Sequence, residues 1–443
     1  MLTVAFMLSP ISVYGLTGSW RGDLNLGQMK IPLVLNFTEA PSGETQCTMD
    51  SPSQGAKGIP TEVVFCSADS IALTCNAIGA SYTGKISADT IKGHFKQRGY
   101  GFPLDLTPAG SIEERRPQTP KPPFPYSVVD TTFTAPDGAV MSATLTIPLN
   151  ADSRKMPAVV MVTGSGPQNR DEEYCDHKPF AVIADFLARN GIASLRYDDR
   201  GTGRSTGNYL TSTTHTIKDD AVSGLEMLRS IPCIGKAGVL GHSEGGSVSF
   251  MIGAEDKADF IISLAGMAVS GKETLMRQNS HAIDKMALSD ADKANSLKLI
   301  ELVFDTIIGQ ARQGVVAPVD IDALAADNDI RVPLQILQSL KMTQSTRAPW
   351  FDAFLVFDPR EYLERVKCPT LAINGEKDRQ VYPDNLTVIK EYVPHAKTIL
   401  MPELNHLMQH AVTGEMTEYD EIRETISPDV LDAIVQFIKD ICK

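Results

Sequence analysis

The sequence offers little from which to build a metal centre, a redox dithiol or a nucleic-acid surface. Its seven cysteines, Cys47, Cys66, Cys75, Cys175, Cys233, Cys368 and Cys442, contain no Cys-x-x-Cys pair, so neither a zinc site nor a catalytic dithiol is supported. Lys and Arg total 41 against 54 Asp and Glu, a formal charge of −13, and basic residues gather no further than pairs such as Arg115-Arg116. Phosphate-backbone binding depends on dense positive charge, so no nucleic-acid partner is expected. There is no internal repeat and no low-complexity tract, and beyond the N-terminus no apolar run approaches the length of a bilayer span. Stable membrane insertion is not expected.

What remains is ordinary globular material, 42% hydrophobic and 21% charged over 443 residues, enough for two domains. The first fifteen residues, MLTVAFMLSPISVYG, are apolar and uncharged. They resemble the hydrophobic part of a secretory signal peptide without its positive start. Export is the expectation, with a buried first strand as the alternative. In an exported chain one disulfide among Cys47, Cys66 and Cys75 becomes an option.

Residues 16–108 read as short alternating segments such as KIPLVLNF, SIALTC and TIKGHF between turn residues, which predicts an antiparallel β barrel or sandwich. Residues 109–125 hold Pro117, Pro120, Pro122, Pro123 and Pro125; proline fixes φ and removes a donor, so this is an extended linker. From residue 126 to 443 the pattern becomes two antiparallel strands and then apolar runs (AVVMVTG, GIASLRY, AGVLGH, DFIISLAG, CPTLAING, KTILMP), most separated by helical spacing. Near-continuous Val/Ile/Leu runs suit strands buried on both faces, so the fold class is α/β with a mostly parallel sheet. Residues 267–367 carry helical spacing and no strong strand, which predicts a helical insertion capping one edge of the sheet. Its Trp350, Phe351, Phe354 and Phe357 could line an apolar pocket or form the insertion's own core.

The stretch VLGHSEGGSVSF places Ser243 between Gly241 and Gly245, after a strand and before a helix. A turn tight enough to hold a serine hydroxyl at the end of a sheet leaves no room for side chains two positions away, which explains both glycines. A serine hydroxyl is a weak nucleophile at neutral pH and needs a base with an orienting acid. Asp378 follows the strand CPTLAING and His406 follows KTILMP, so Ser243, Asp378 and His406 each fall past a strand's carboxyl end, where open α/β sheets build their sites. Glu376 is a rival acid. His410, four residues beyond His406, could make a helical metal pair, but no H-E-x-x-H pattern accompanies it, and no metal is expected.

An acyl transfer also needs donors for the developing oxyanion. The backbone N–H of Glu244, just after the serine, is one; in VVMVTGSGPQNRDE the amide of Ser165, with Gly166 as runner-up, supplies the other. The following polar run, residues 168–171, is expected to stabilise this loop. YDDRGTGRSTG lacks the G-x-x-x-x-G-K-[ST] phosphate loop and a full dinucleotide fingerprint; Asp199 and Arg200 are expected to tie it down beside the site. No cofactor is called for.

Together, D-R-G-x-G-x-S at residues 199–205, GHSEGG at 241–246, G-x-x-D at 375–378 and Asn405-His406 resemble the α/β-hydrolase superfamily over residues 126–443. TGSGPQNRDE with GHSEGG more narrowly resembles bacterial secreted serine esterases related to prolyl oligopeptidase-type hydrolases. Such proteins often carry an N-terminal β domain opening G-x-W-x-G-x-L, matched by Gly18, Trp20, Gly22 and Leu24. Thr163 departs from that pattern, where many relatives have His. The resemblance implies a serine esterase acting on a small acyl ester. A peptidase or amidase, or an inactive ligand-binding protein, are the alternatives.

Overall fold

The computed structural model describes residues 16–26, 29–41, 43–51, 56–87, 89–109, 115–149, 155–345 and 347–442. The segment read as a signal peptide, residues 1–15, lies outside them. The chain divides into two compact units, residues 1–117 and 118–443.

The first unit is a nine-stranded antiparallel sheet made of β1 (Gly18–Leu26), β2 (Met29–Glu39), β3 (Thr45–Ser51), β4 (Ala56–Cys66), β5 (Ser70–Cys75), β6 (Ala80–Ser87), β7 (Thr90–Gln97), β8 (Tyr100–Pro103) and β9 (Thr107–Pro108). Alternation decides which side is buried: Leu33, Leu35 and Phe37 of β2 face a core with Met49, Leu73, Tyr82 and Phe95, and their neighbours in sequence face outward. The sheet curls into a partly closed barrel, because β9 pairs with β1 while the adjoining Leu106 exchanges hydrogen bonds with Ile91 of β7 at 2.7 and 2.8 Å. Gly22 permits that approach, since a Cβ there would collide with the Asp105 carbonyl. Trp20 and Leu24 lie in the core. Cys47, Cys66 and Cys75 are free thiols, which corrects the disulfide considered for them: Cys47 is on β3 and Cys75 on β5, with β4 between them.

The second unit holds an eight-stranded mixed sheet. Its strands are β10 (Tyr126–Thr134), β11 (Val140–Pro148), β12 (Met156–Val162), β13 (Ala193–Tyr197), β14 (Ile234–His242), β15 (Ile261–Leu264), β16 (Thr370–Gly375) and β17 (Lys397–Met401), in the order β10-β11-β13-β12-β14-β15-β16-β17. β10, β11 and β13 pair antiparallel, and every neighbour from β13 through β12 to β17 pairs parallel. Central strands are apolar throughout because both faces are covered. One core joins the sheet to α2 (Thr214–Ser230), α3 (Glu244–Ala254) and α10 (Asn385–Tyr392); the other joins it to α1 (Pro179–Arg189) and α11 (Pro428–Ile441).

Between β15 and β16 run α4 (Gly271–Asp284), α5 (Asp290–Arg312), α6 (Ile321–Asp327), α7 (Leu334–Ser345), α8 (Pro349–Val356) and α9 (Arg360–Leu363). Their starts are set by side chains that accept orphan N–H groups: Ser270 from Glu273, Ser289 from Asp292 and Asp320 from Ala323. Leu299, Ile300, Val303, Phe304 and Ile307 form the buried stripe of α5, at the spacing one helical face requires. Among the described residues no helix is long and apolar enough to cross a membrane.

Candidate active site

The chain reverses its direction of winding at β12, with β13 on one side and β14 on the other, and at such a point the loops leaving the strand ends part to open a crevice. The loop after β12 carries Gly164 to Asp171, and the turn after β14 carries Ser243. Ser243 adopts φ 54° and ψ −118°, a backbone state that costs a non-glycine residue of the order of 1–3 kcal/mol. The turn is enforced by contact: a Cβ on Gly241 would strike the Gly245 carbonyl, and one on Gly245 would strike that of Val162.

The three distant residues meet. The Ser243 hydroxyl lies 3.1 Å from His406 Nε2, and His406 Nδ1 lies 2.8 Å from Asp378 Oδ2. Asp378 is fully buried, and its Oδ1 accepts the amides of Gln380 at 2.8 Å and Val381 at 2.9 Å. Because Asp378 accepts, Nδ1 carries the ring hydrogen and Nε2 is left to accept from the serine. The loop bearing His406 is braced by Asn405 and Gln409, whose side chains and backbones bond reciprocally at 2.9–3.0 Å. Glu376, the rival acid, is exposed and accepts the Glu403 amide. His410 points to Glu424 at 2.8 Å, away from any partnership with His406. Among the described residues no group of three or more His, Cys, Asp or Glu is arranged to hold a metal ion.

The amide of Gly166 donates to Tyr209 Oη at 2.7 Å and that of Gly164 to Glu172 Oε1 at 2.7 Å. The amides of Ser165 and Glu244 have no protein acceptor among the described residues. Those two N–H groups are therefore the ones free to meet an oxyanion beside Ser243. Thr163 has its own support: its hydroxyl donates to buried Asp199 at 2.9 Å, which also accepts the Gln168 amide at 2.9 Å. Arg170 binds Asp198 through its amide at 2.9 Å and through its guanidinium at 2.8 and 3.0 Å, and Asp171 pairs with Arg196. Both residues tie down their own loop as expected: Asp199 fastens it to the loop after β12, and Arg200 fastens it to Asp220 and Asp137.

Two residues, and the side-chain role of a third, escaped the sequence. Glu172 and His242 bond each other at 2.9 Å beneath the site; Glu172 is one of three consecutive acids and His242 looks like part of the turn motif. The only hint was a histidine at the end of an apolar strand, a place where a ring needs partners. The Glu244 side chain, fully enclosed, accepts from Ser165 Oγ at 2.8 Å, Thr214 Oγ1 at 2.8 Å and Trp350 Nε1 at 3.0 Å. Burial raises its pKa, partly offset by those bonds.

A cavity of about 290 Å³ opens onto Ser243 and His406. Met267, Leu275, Trp350, Phe354 and Val381 give it an apolar wall, and Gln278, Gln380 and Tyr174 a polar one. Trp350 and Phe354 thus line the cavity, while Phe351 belongs to the core of the helical segment and Phe357 stacks near Tyr362.

A family model described as X-Pro dipeptidyl-peptidase (S15 family) matches residues 137–408. Esterase EstD of Thermotoga maritima is 26% identical over 282 residues, which span 61% of this chain and 58% of that protein. The chain therefore covers little more than half the length of that curated relative. Among solved structures, the Pyrococcus furiosus esterase Pf2001 is 15% identical with a TM-score of 0.43, over 71% of this chain and 90% of the other. Est1E from Butyrivibrio proteoclasticus is 13% identical with a TM-score of 0.40, over 71% and 98%.

Proposed function

The chain belongs to the X-Pro dipeptidyl-peptidase (S15) family, a family of α/β-hydrolase type, and from that premise we propose that it is a serine hydrolase cleaving small carboxylic esters through an acyl-enzyme. The observation that carries this reading is the chain of contacts from Ser243 Oγ to His406 Nε2, 3.1 Å, and from His406 Nδ1 to Asp378, 2.8 Å. His406 takes the hydroxyl proton as Oγ attacks the acyl carbonyl, and the Ser165 and Glu244 amides stabilise the oxyanion. The tetrahedral adduct collapses with the proton passing from Nε2 to the departing alcohol. Water then enters, gives its proton to the same nitrogen and releases the acid, restoring Ser243. Asp378 holds the ring's tautomer and stabilises its charged form.

The acyl group occupies the apolar wall, and the helical segment at residues 267–367 acts as the cap that encloses it. Replacing Phe354 by Ala should raise kcat/KM for an octanoyl relative to an acetyl p-nitrophenyl ester by at least about tenfold, since one methylene in a pocket is worth that much. An unchanged ratio would remove Phe354 from the acyl site.

The family description favours a second reading, cleavage of an N-terminal dipeptide. Such a substrate brings a free α-ammonium, which needs an anion or several acceptors. Among the described residues that line the cavity, Glu172 is the only carboxylate, and it already accepts from Gly164 and His242. Ester hydrolysis is therefore preferred. A panel of p-nitrophenyl esters and X-Pro p-nitroanilides assayed side by side separates the two; faster turnover of the anilides would reverse the preference.

A further inference from the structure

The geometry points to Glu172 and His242 as a positioning ion pair, which fastens the loop offering the Ser165 amide and the loop carrying His406 to the turn that carries Ser243, an inference that rests on the roles given to Ser243 and His406 above. His242 immediately precedes Ser243. Its Nε2 lies 2.9 Å from the His406 carbonyl oxygen and its Nδ1 2.9 Å from Glu172 Oε1. The same Oε1 lies 2.7 Å from the Gly164 amide nitrogen.

These partners dictate where the ring's hydrogens are. A backbone carbonyl can only accept, so Nε2 carries a hydrogen. Oε1 already accepts the Gly164 N–H, the behaviour of a carboxylate oxygen, so Nδ1 carries the other. With both nitrogens protonated His242 is an imidazolium, and Glu172 is its counter-ion. Both are nearly inaccessible, at 7% and 5% exposure, where a separated charge would be intolerable and a bonded pair is held tightly. Burial alone lowers the His242 pKa, yet the attraction of Glu172 and the bonds to Glu172 and to the His406 carbonyl outweigh it, with Asp378 adding a smaller pull, so the net shift is upward. The charged and titratable groups facing the ring are thus Glu172, Asp378 and the His406 imidazole, whose centroid is 4.7 Å away. Glu172 itself sits at φ 52°, a state Gly or Asn adopts more easily. A carboxylate there accepts from an amide and an imidazolium together and supplies the counter-charge that an amide side chain lacks.

The consequence is that two halves of the site, leaving β12 and β17, are registered through one ring. Displacing either by about 1 Å can cost about 10²-fold in rate. Because the pKa is raised in the fold, the cation persists to higher pH than in a free imidazole and is lost as pH rises through the raised value. Glu172→Gln removes the counter-charge and lowers that pKa, so the loss begins at lower pH.

The test combines spectroscopy and kinetics on the full chain. In ring-¹⁵N spectra at neutral pH, with His242→Gln used to assign the signal, both His242 nitrogens should be protonated; one bare nitrogen overturns the pair. Glu172→Gln should lower kcat by about 10²-fold, leave KM within a few-fold, and move the alkaline limb of the kcat profile to lower pH, whereas Glu172→Asp should keep the limb near its original place. A lowered melting temperature with an unmoved limb means a merely structural role and rejects the inference. If Glu172→Gln does not fold, the wild-type spectrum still decides. Activity surviving in Ser243→Ala would sink the hydrolase reading instead, a result the ring spectrum does not depend on.

Discussion

Ser243→Ala should lower kcat on an acyl ester by about 10⁶-fold while the protein keeps its melting temperature. The size follows from the covalent intermediate proposed above: without Oγ, the Ser165 and Glu244 amides and the cavity remain, and they alone would support only slow attack by water. Stability should change little because Ser243 is only partly buried and its hydroxyl donates to a single partner, His406. Relief of its strained φ is no gain for alanine, which is as uncomfortable at 54°. Turnover within tenfold of the unmodified enzyme, or fluorophosphonate labelling that persists in the variant, would mean another nucleophile.

Asp378→Asn should cost about 10⁴-fold in kcat, again without unfolding. Its mechanism is legible in the bonds. The backbone amides of Gln380 and Val381 both donate to Oδ1, so an asparagine is obliged to keep its oxygen there and to turn its NH₂ toward His406. Nδ1 must then accept, the ring hydrogen moves to Nε2, and the serine faces a donor where it needs an acceptor. The tautomer is wrong even though no atom has moved far. Single-turnover kinetics should place the whole loss in acylation and deacylation, with binding little altered; a variant retaining a tenth of the activity would show that Asp378 does not orient the base.

The parts of this site that could be read in advance are those where chemistry and local sterics coincide in a few consecutive residues. Ser243 announces itself because Gly241 and Gly245 cannot be anything larger, and Asp378 and His406 because each closes an apolar run. Choosing Ser165 over Gly166 as a donor needs Tyr209, which is 43 positions away and whose hydroxyl occupies the Gly166 amide. Likewise nothing local separates Glu172 from its neighbours Asp171 and Glu173; Asp171 goes to Arg196 and Glu173 to Lys178, and only the folded loop sorts the three. The four aromatics of residues 350–357 divided between cavity and core for the same reason. Helical spacing says that they share a segment, and the partners of each face are supplied from elsewhere in the chain. The β barrel was readable from strict alternation in β2, β5 and β7, whereas its closure at Leu106 depends on Gly22 making room for a strand more than eighty positions later.

Trp350 shapes the cavity and also donates to Glu244, the residue that follows Ser243. Enlarging the pocket by shaving that indole would take one of three donors from a buried carboxylate, at about 1.5–3 kcal/mol for a bond to a charged group, on the first turn of the helix that Ser243 begins. For the proposed hydrolase, breadth of substrate and speed of turnover are therefore not independent dials. A lineage selected for bulkier acids would slow before it diversified, unless a second change restored a donor to Glu244.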